Sequence, residues 1–238
     1  MLKRWLFRGL LGLLVLAGPL VLTACSAEKA PQALGCGSQG QPACLQGQAL
    51  IRLDTSRGAV ELRLDGDAAP LTAGNFLDLV RRGVYNGTAF HRVVREPVPF
   101  VVQGGDPTSV DPSVPPTAYG QGDFIDPATA RPRRIPLELK LRQESKPRYG
   151  QILSSPSQGR QLQLPHDRGA VAMARSQDPD SASAQFYIAL QALLELDGRY
   201  AVFGRVVKGM EVVDRIQQGD RLLKATVLEG PGAGAPQP

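Results

Sequence analysis

Residues 50–55 and 59–64 alternate apolar and polar side chains with a period of two, Val60, Leu62 and Leu64 standing against Glu61 and Arg63. Successive side chains of extended backbone point to opposite faces, so the pattern gives two strands that each bury one face. Ser56-Arg57-Gly58 between them is turn chemistry, and a tight hairpin is expected. Short strand-like runs recur at 90–94, 100–103, 135–141, 170–174, 186–190, 202–207 and 225–228. Helical spacing is confined to 72–82, where Phe76, Leu79 and Val80 share a face before Gly83, and to 211–217. Many short strands with two helices argue for a mainly β chain closed into an antiparallel barrel rather than a βαβ fold.

At 238 residues and 42% apolar composition, the chain holds one sizeable domain and falls short of two. Its Gly and Pro lack a collagen period, and three cysteines are too few for a disulfide scaffold. His91 and His166 lie far apart and there is no CxxC pair, so neither a metal site nor a cofactor is expected. No basic run extends beyond residues 131–134, which argues against nucleic acid as a partner. Nothing marks an oligomer, and a monomer is the expectation.

The first eight residues carry Lys3, Arg4 and Arg8, and residues 10–22 are almost continuously apolar. That run is shorter than the ~20 residues of a comfortable membrane span and reads as a secretory signal. Leu22-Thr23-Ala24-Cys25 resembles the bacterial lipobox, which implies cleavage before Cys25 and lipidation of its thiol. An uncleaved anchor with an incidental cysteine is the alternative. On the lipoprotein reading residues 1–24 are removed, which lowers the net charge of +5 by three. The remainder is then exported and lipid-anchored, facing the periplasm or the cell exterior. Residues 25–48, rich in Gln, Gly, Ala and Pro, suit a flexible tether, and 230–238 a mobile tail. The folded unit is residues 49–229. Cys36 and Cys44 either close a small loop in an oxidising compartment or remain free thiols.

Four segments carry the chemistry: Phe90-His91-Arg92-Val93-Val94; Phe100-Val101-Val102-Gln103-Gly104-Gly105-Asp106; Gly169-Ala170-Val171-Ala172-Met173-Ala174; and Ala184-Gln185-Phe186-Tyr187-Ile188. Leu196-Asp197-Gly198-Arg199-Tyr200-Ala201-Val202-Phe203-Gly204 follows them. In this order and spacing they resemble the cyclophilin family of peptidyl-prolyl cis-trans isomerases over nearly all of residues 49–229. The resemblance implies a closed eight-stranded antiparallel barrel capped by two α-helices, with an active groove on its outer face and proline-containing polypeptides as substrates. It assigns catalysis to Arg92, oriented by Gln103. Phe100, Val101, Tyr187 and Leu196 match the proline pocket, and Gln185 lines the groove. Ala174 and Arg175 match positions that bind the substrate backbone, and Tyr200 stands where many members have His.

The residue types suit that reaction. Amide resonance sets a barrier of ~20 kcal/mol to X–Pro rotation, and no bond has to break. Twisting returns a lone pair to the proline nitrogen, so a donor aimed there favours the twisted state. An arginine is always protonated and offers a fork of donors, but a charge-assisted bond of ~1.5–3 kcal/mol is only part of what is needed. A desolvated apolar grip on the ring supplies the rest.

Phe186, Phe203 and Met173 read as core, and His91 as structural, because the reaction transfers no proton. Gly104-Gly105 reads as a tight backbone path rather than a phosphate cradle, since no helix-opening loop follows. Residues 107–134 and 154–159 are dense in Pro, Gly, Asp and Ser and read as solvated surface insertions. Three departures from the family stand out: a longer turn at 95–99, Val101 in place of Met, and Glu195 where an aromatic residue contacts cyclosporin. Glu195 implies weak cyclosporin binding, and Val101, Glu195 and the long loops keep open a cyclophilin-like peptide-binding module or chaperone with little turnover.

Overall fold

The computed structural model describes residues 35–37 and 41–234. The expected signal segment, Cys25 and the end of the tail lie outside the described residues. Strands β1 (Gln48–Thr55) and β2 (Gly58–Asp65) pair antiparallel, with Thr55 opposite Gly58 and Gln48 opposite Asp65. Thr55 sets the turn: its Oγ1 accepts from the Arg57 amide at 3.1 Å and donates to the Gly58 carbonyl at 2.7 Å. Ile51, Leu53, Val60, Leu62 and Leu64 are thereby buried together, and a one-residue slip would put them all in water.

Helix α1 (Pro70–Arg81) begins with proline, whose missing N–H costs nothing there. No flanking side chain caps it. The buried carboxylate of Glu138 does so from far along the chain, accepting from the Leu71 amide at 3.1 Å and the Thr72 amide at 2.7 Å. Burial raises the Glu138 pKa above the ordinary carboxyl value, although these bonds oppose it. At the other end Gly83 N–H donates to Val80 and Val84 N–H to Leu79, both at 3.0 Å, the pair of bonds that closes a Schellman stop. Cys36 and Cys44 are joined in a disulfide whose Cys36 sulfur lies 3.8 Å from the Tyr149 hydroxyl. Leu45 is buried, with its amide bonded to the Pro70 carbonyl at 2.9 Å. Residues 41–47, within the stretch whose composition suits a tether, therefore lie against α1.

The remaining strands are β3 (Arg92–Val93), β4 (Val101–Gly104), β5 (Ile125–Asp126), β6 (Arg131–Pro132), β7 (Glu138–Leu139), β8 (Arg148–Tyr149), β9 (Ala170–Met173), β10 (Phe186–Ala189), β11 (Val202–Lys208) and β12 (Leu222–Glu229). Single helical turns, α2 (Pro156–Gly159) and α3 (Met210–Val213), complete the α content among the described residues. The expected pair of capping helices is thus one full helix and two single turns. After Asp214 the backbone bonds tighten to three-residue spacing, and Asp220 captures the Gln217 amide at 2.7 Å, turning the chain toward β12. The run at 135–141 forms only the short β7 ladder and two isolated bridges.

Eight strands form one sheet in the order β12-β1-β2-β11-β9-β10-β4-β3, antiparallel throughout. The expected closed barrel is an open half-barrel. Its edges, β3 and β12, share no ladder, because β3 is two residues long and the seam beside it is irregular. There residues 87–90 meet 219–222 through four backbone hydrogen bonds and one bridge, Ala89 to Arg221. Gly87 (φ +81°) and Gly219 (φ +94°) bend the chain out of extended geometry on either side.

Strands β9 and β10 are buried along their whole length. Inside the sheet, Phe76 of α1 has its ring 4.8 Å from Tyr85, 5.0 Å from Phe203 and 5.3 Å from Phe186, centroid to centroid. Val102, Val171, Met173 and Ile188 join that core. The opposite parity of the same strands, Val101, Ala170, Ala172, Tyr187 and Ala189, builds a separate outer cluster with Leu193 and Val202.

Candidate active site

Strand pairing aligns the outer face. Arg92 of β3 stands opposite Gln103 of β4, and Gln103 opposite Tyr187 of β10. Directly opposed residues share a face, so these three side chains form a row across the sheet. Val101, two residues before Gln103, falls on the same side. The row borders a cavity of about 220 Å³ lined by Arg92, Phe100, Val101, Gln103 and Tyr187 together with Ala174, Arg175, Leu196 and Tyr200. Nine of the ten catalytic and substrate-binding positions named from sequence thus surround one hollow. The tenth, Gln185, sits one step behind and lines an adjoining cleft of about 440 Å³ that shares Gln103, Ala174 and Arg175 with the first.

The guanidinium of Arg92 is exposed, with its carbon 5.7 Å from the centre of the Phe100 ring, and Nη1 donates to Gln103 Oε1 at 3.4 Å. Gln103 Nε2 donates to Gln185 Oε1 at 3.3 Å, and Gln185 Nε2 to the Gly122 carbonyl at 3.0 Å. Gly122 N–H in turn reaches the Asp106 carboxylate at 3.3 Å, beside Gly120 N–H at 2.5 Å and Thr108 N–H at 2.8 Å. A relay of polar groups therefore runs from a buried carboxylate through one loop to the arginine. Burial pushes the Asp106 pKa up, but bonds from Thr108, Gly120 and Gly122 outweigh it and hold the group below the usual carboxylate value. Gly105, at φ +82°, lets the strand turn toward Asp106, and a Cβ there would stand 2.9 Å from the Phe186 ring. The longer 95–99 turn leaves the Arg92–Phe100 contact in place, with Arg95 bonded to the Val213 and Ile216 carbonyls at 3.1 and 2.7 Å.

Tyr187 is buried, and burial drives its hydroxyl pKa well above 10, so it serves as an uncharged hydrogen-bonding group. The Tyr200 ring meets it edge-on at 5.9 Å, and the Arg175 guanidinium lies 4.6 Å from the centre of Tyr200. Arg175 also donates to the carbonyls of Arg199 at 3.0 Å and Ser176 at 2.7 Å, so its side chain is engaged in holding the rim. His91 lies partly buried near Asp106, and burial lowers its pKa despite that carboxylate, which keeps it neutral at pH 7. Glu195 is exposed on the turn that carries Leu196.

Two residues of this region escaped sequence reasoning. His166 is fully buried behind Tyr187, with Nε2 2.9 Å from its hydroxyl and Nδ1 2.9 Å from Asp197. Asp197 sits inside a motif already singled out, but the partners are separated by 21 and 31 residues, and no spacing rule links them.

The fold is thus an open antiparallel half-barrel with an arginine beside a hollow on its outer face. Residues 50–229 match the family described as cyclophilin type peptidyl-prolyl cis-trans isomerase/CLD. The chain belongs to that family. It is 36% identical over 196 residues to a putative thylakoid lumen peptidyl-prolyl cis-trans isomerase of Synechocystis, covering 78% of this chain and 48% of the relative. It thus spans about half that relative's length. It is 38% identical over 173 residues to peptidyl-prolyl cis-trans isomerase A of Dickeya dadantii, covering 71% of this chain and 70% of the relative. A cyclophilin of Cryptosporidium parvum, crystallised in the presence of the dipeptide Ala-Pro, shares the fold with a TM-score of 0.55 at 23% identity, over 76% of this chain and 99% of the other.

Proposed function

We propose that this chain rotates X–Pro bonds in exported polypeptides and so assists their folding, working without metal or cofactor and as a monomer. One observation carries the reading: the Arg92 guanidinium stands at the mouth of an apolar cup with Gln103 behind it. Phe100, Val101, Tyr187 and Leu196 grip the pyrrolidine ring, while Arg92 donates to the proline nitrogen as its conjugation is lost. The flanking chain runs along Ala174 and Arg175 into the cleft beside Gln185, and Tyr200 closes the rim of the cup. The dipeptide used with the Cryptosporidium protein fits a ligand of this kind. Export is supported by the basic and apolar start and the lipobox-like tetrapeptide, and by the lumenal name of the Synechocystis relative. On this reading Cys25 is lipidated and residues 49–229 form the catalytic domain on a membrane tether.

Isomerisation of a proline tetrapeptide by the full chain tests the catalytic half. Arg92→Ala is expected to lower kcat/KM about a hundredfold, the usual cost of removing a transition-state donor, with the thermal midpoint unchanged because the side chain is exposed. Wild-type protein that binds the peptide yet leaves its rate at background would make the chain a peptide-binding module instead. Mass spectrometry of the mature N-terminus tests the anchor, with an acylated Cys25 as the expected product.

A further inference from the structure

His166 makes four hydrogen bonds, split between the two elements that wall the cup. Its Nε2 meets the Tyr187 hydroxyl of β10 at 2.9 Å. The other three go to the turn at 193–197: its carbonyl accepts from Leu193 N–H at 2.8 Å, and its own N–H and Nδ1 both reach Asp197 Oδ1, at 2.8 and 2.9 Å. A carboxylate only accepts, so Nδ1 carries the proton, and in the neutral ring Nε2 accepts from the Tyr187 hydroxyl. The bonds to Leu193 and Asp197 bracket Leu196, whose amide closes the turn on the Leu193 carbonyl at 3.0 Å. The imidazole also lies nearly parallel to the Tyr187 ring, at 14° and 6.0 Å. A buried polar cluster is costly where apolar packing would fill the same space, and it gains specificity of geometry only when every member is satisfied. Here the members are satisfied, and all of them converge on two residues that line the cup.

We infer that His166 and Asp197 are positioning residues for the isomerase reaction, one buried imidazole tying the Tyr187 wall to the Leu196 wall and so fixing the width of the proline cup. This rests on the reading of the cavity as the proline site. Neither residue lines the cavity. They act through Tyr187 and Leu196.

The test compares full-length wild type with His166→Leu, His166→Gln, Asp197→Asn, Tyr187→Phe and the His166→Leu/Tyr187→Phe double variant, well below their melting temperatures. His166→Leu is expected to raise KM about fivefold, the worth of one hydrogen bond, with kcat within about twofold. His166→Gln recovers part of that loss, and the double variant is no worse than His166→Leu alone. Glu138→Gln, a buried polar change at a residue that does not line the cup, serves as the control that lowers stability and leaves KM alone. In ligand-free protein, the Tyr187 ring and Leu196 methyl resonances broaden in His166→Leu and not in Glu138→Gln. Unchanged KM and unchanged resonances, with only stability reduced, would overturn the inference. If wild type itself shows no turnover, the proposed function fails, and the resonances alone decide whether His166 orders the two walls. Should His166→Leu fail to fold, Tyr187→Phe and Asp197→Asn carry the same comparison.

Discussion

The inner and outer faces of β4, β9 and β10 are both apolar, yet one is solid and the other hollow. Inward positions hold Val102, Val171, Met173, Phe186 and Ile188, and the Phe186 ring interlocks with Phe76 and Tyr85 at 5.3 and 5.5 Å. Outward positions hold Val101, Ala170, Ala172 and Ala189 around a single ring, Tyr187. Large side chains at one parity fill their space, and at the other Val101, Gln103 and Tyr187 border the cavity of about 220 Å³. Strand sequences of four residues therefore encode stability with one set of positions and, on the proposed function, a binding site with the alternate set. Arg92 and Gln103 share the parity of the hollow face.

The contrast is sharpest at adjacent residues. Phe186→Ala should reduce unfolding free energy by about 3–5 kcal/mol, the range for a fully buried ring, as read from urea denaturation. Turnover per folded molecule should change far less. A stability loss under 1 kcal/mol would show that the inner face is not the packed core described here. On the outer face, Val101→Phe adds volume whose open direction is the cup. KM for a proline tetrapeptide should rise about tenfold, ~1.4 kcal/mol, while the denaturation midpoint moves much less than for Phe186→Ala. An unaffected KM would remove the cup from substrate binding.

Parity was legible in the sequence at residues 50–64, because period two is a local property. The hairpin and the helix around Phe76 follow from alternation, spacing and turn residues, and Phe186 and Phe203 read as core from their apolar character. The motif likeness brought Arg92, Gln103 and the cup residues together. Closure of the barrel was not legible: it depends on whether residues 87–90 pair with 219–222, and no local pattern reports a seam between edges so distant in the chain. The same holds for Glu138, which lies in the strand-like run at 135–141 and caps a helix that begins at Pro70. His166 shows the limit most clearly. A lone histidine carries no spacing signal, and its meaning comes only from the tyrosine and aspartate that the fold delivers to its two nitrogens.

Acid should separate the two faces as well, with the smallest effect of those considered. The inner core around Phe76 is held by apolar contact, whereas the Arg92–Gln103–Gln185 row depends on the Gly122 loop that Asp106 holds. The Asp106 pKa is lowered in the folded protein, so its contribution is present above the unfolded carboxyl value, about 4, and is lost as pH falls through the folded value. As pH falls below about 4, protection of the Gly120 and Gly122 amides, corrected for the intrinsic exchange rate at each pH, should fall before that of Val171 or Ile188 in the core strands. Asp106→Asn keeps a side-chain oxygen for these amides but cannot ionise, so it should weaken the loop at neutral pH and flatten its acid response. If rim and core amides in the wild type lose protection together, the outer face has no separate electrostatic support, and the division between the faces lies in packing alone.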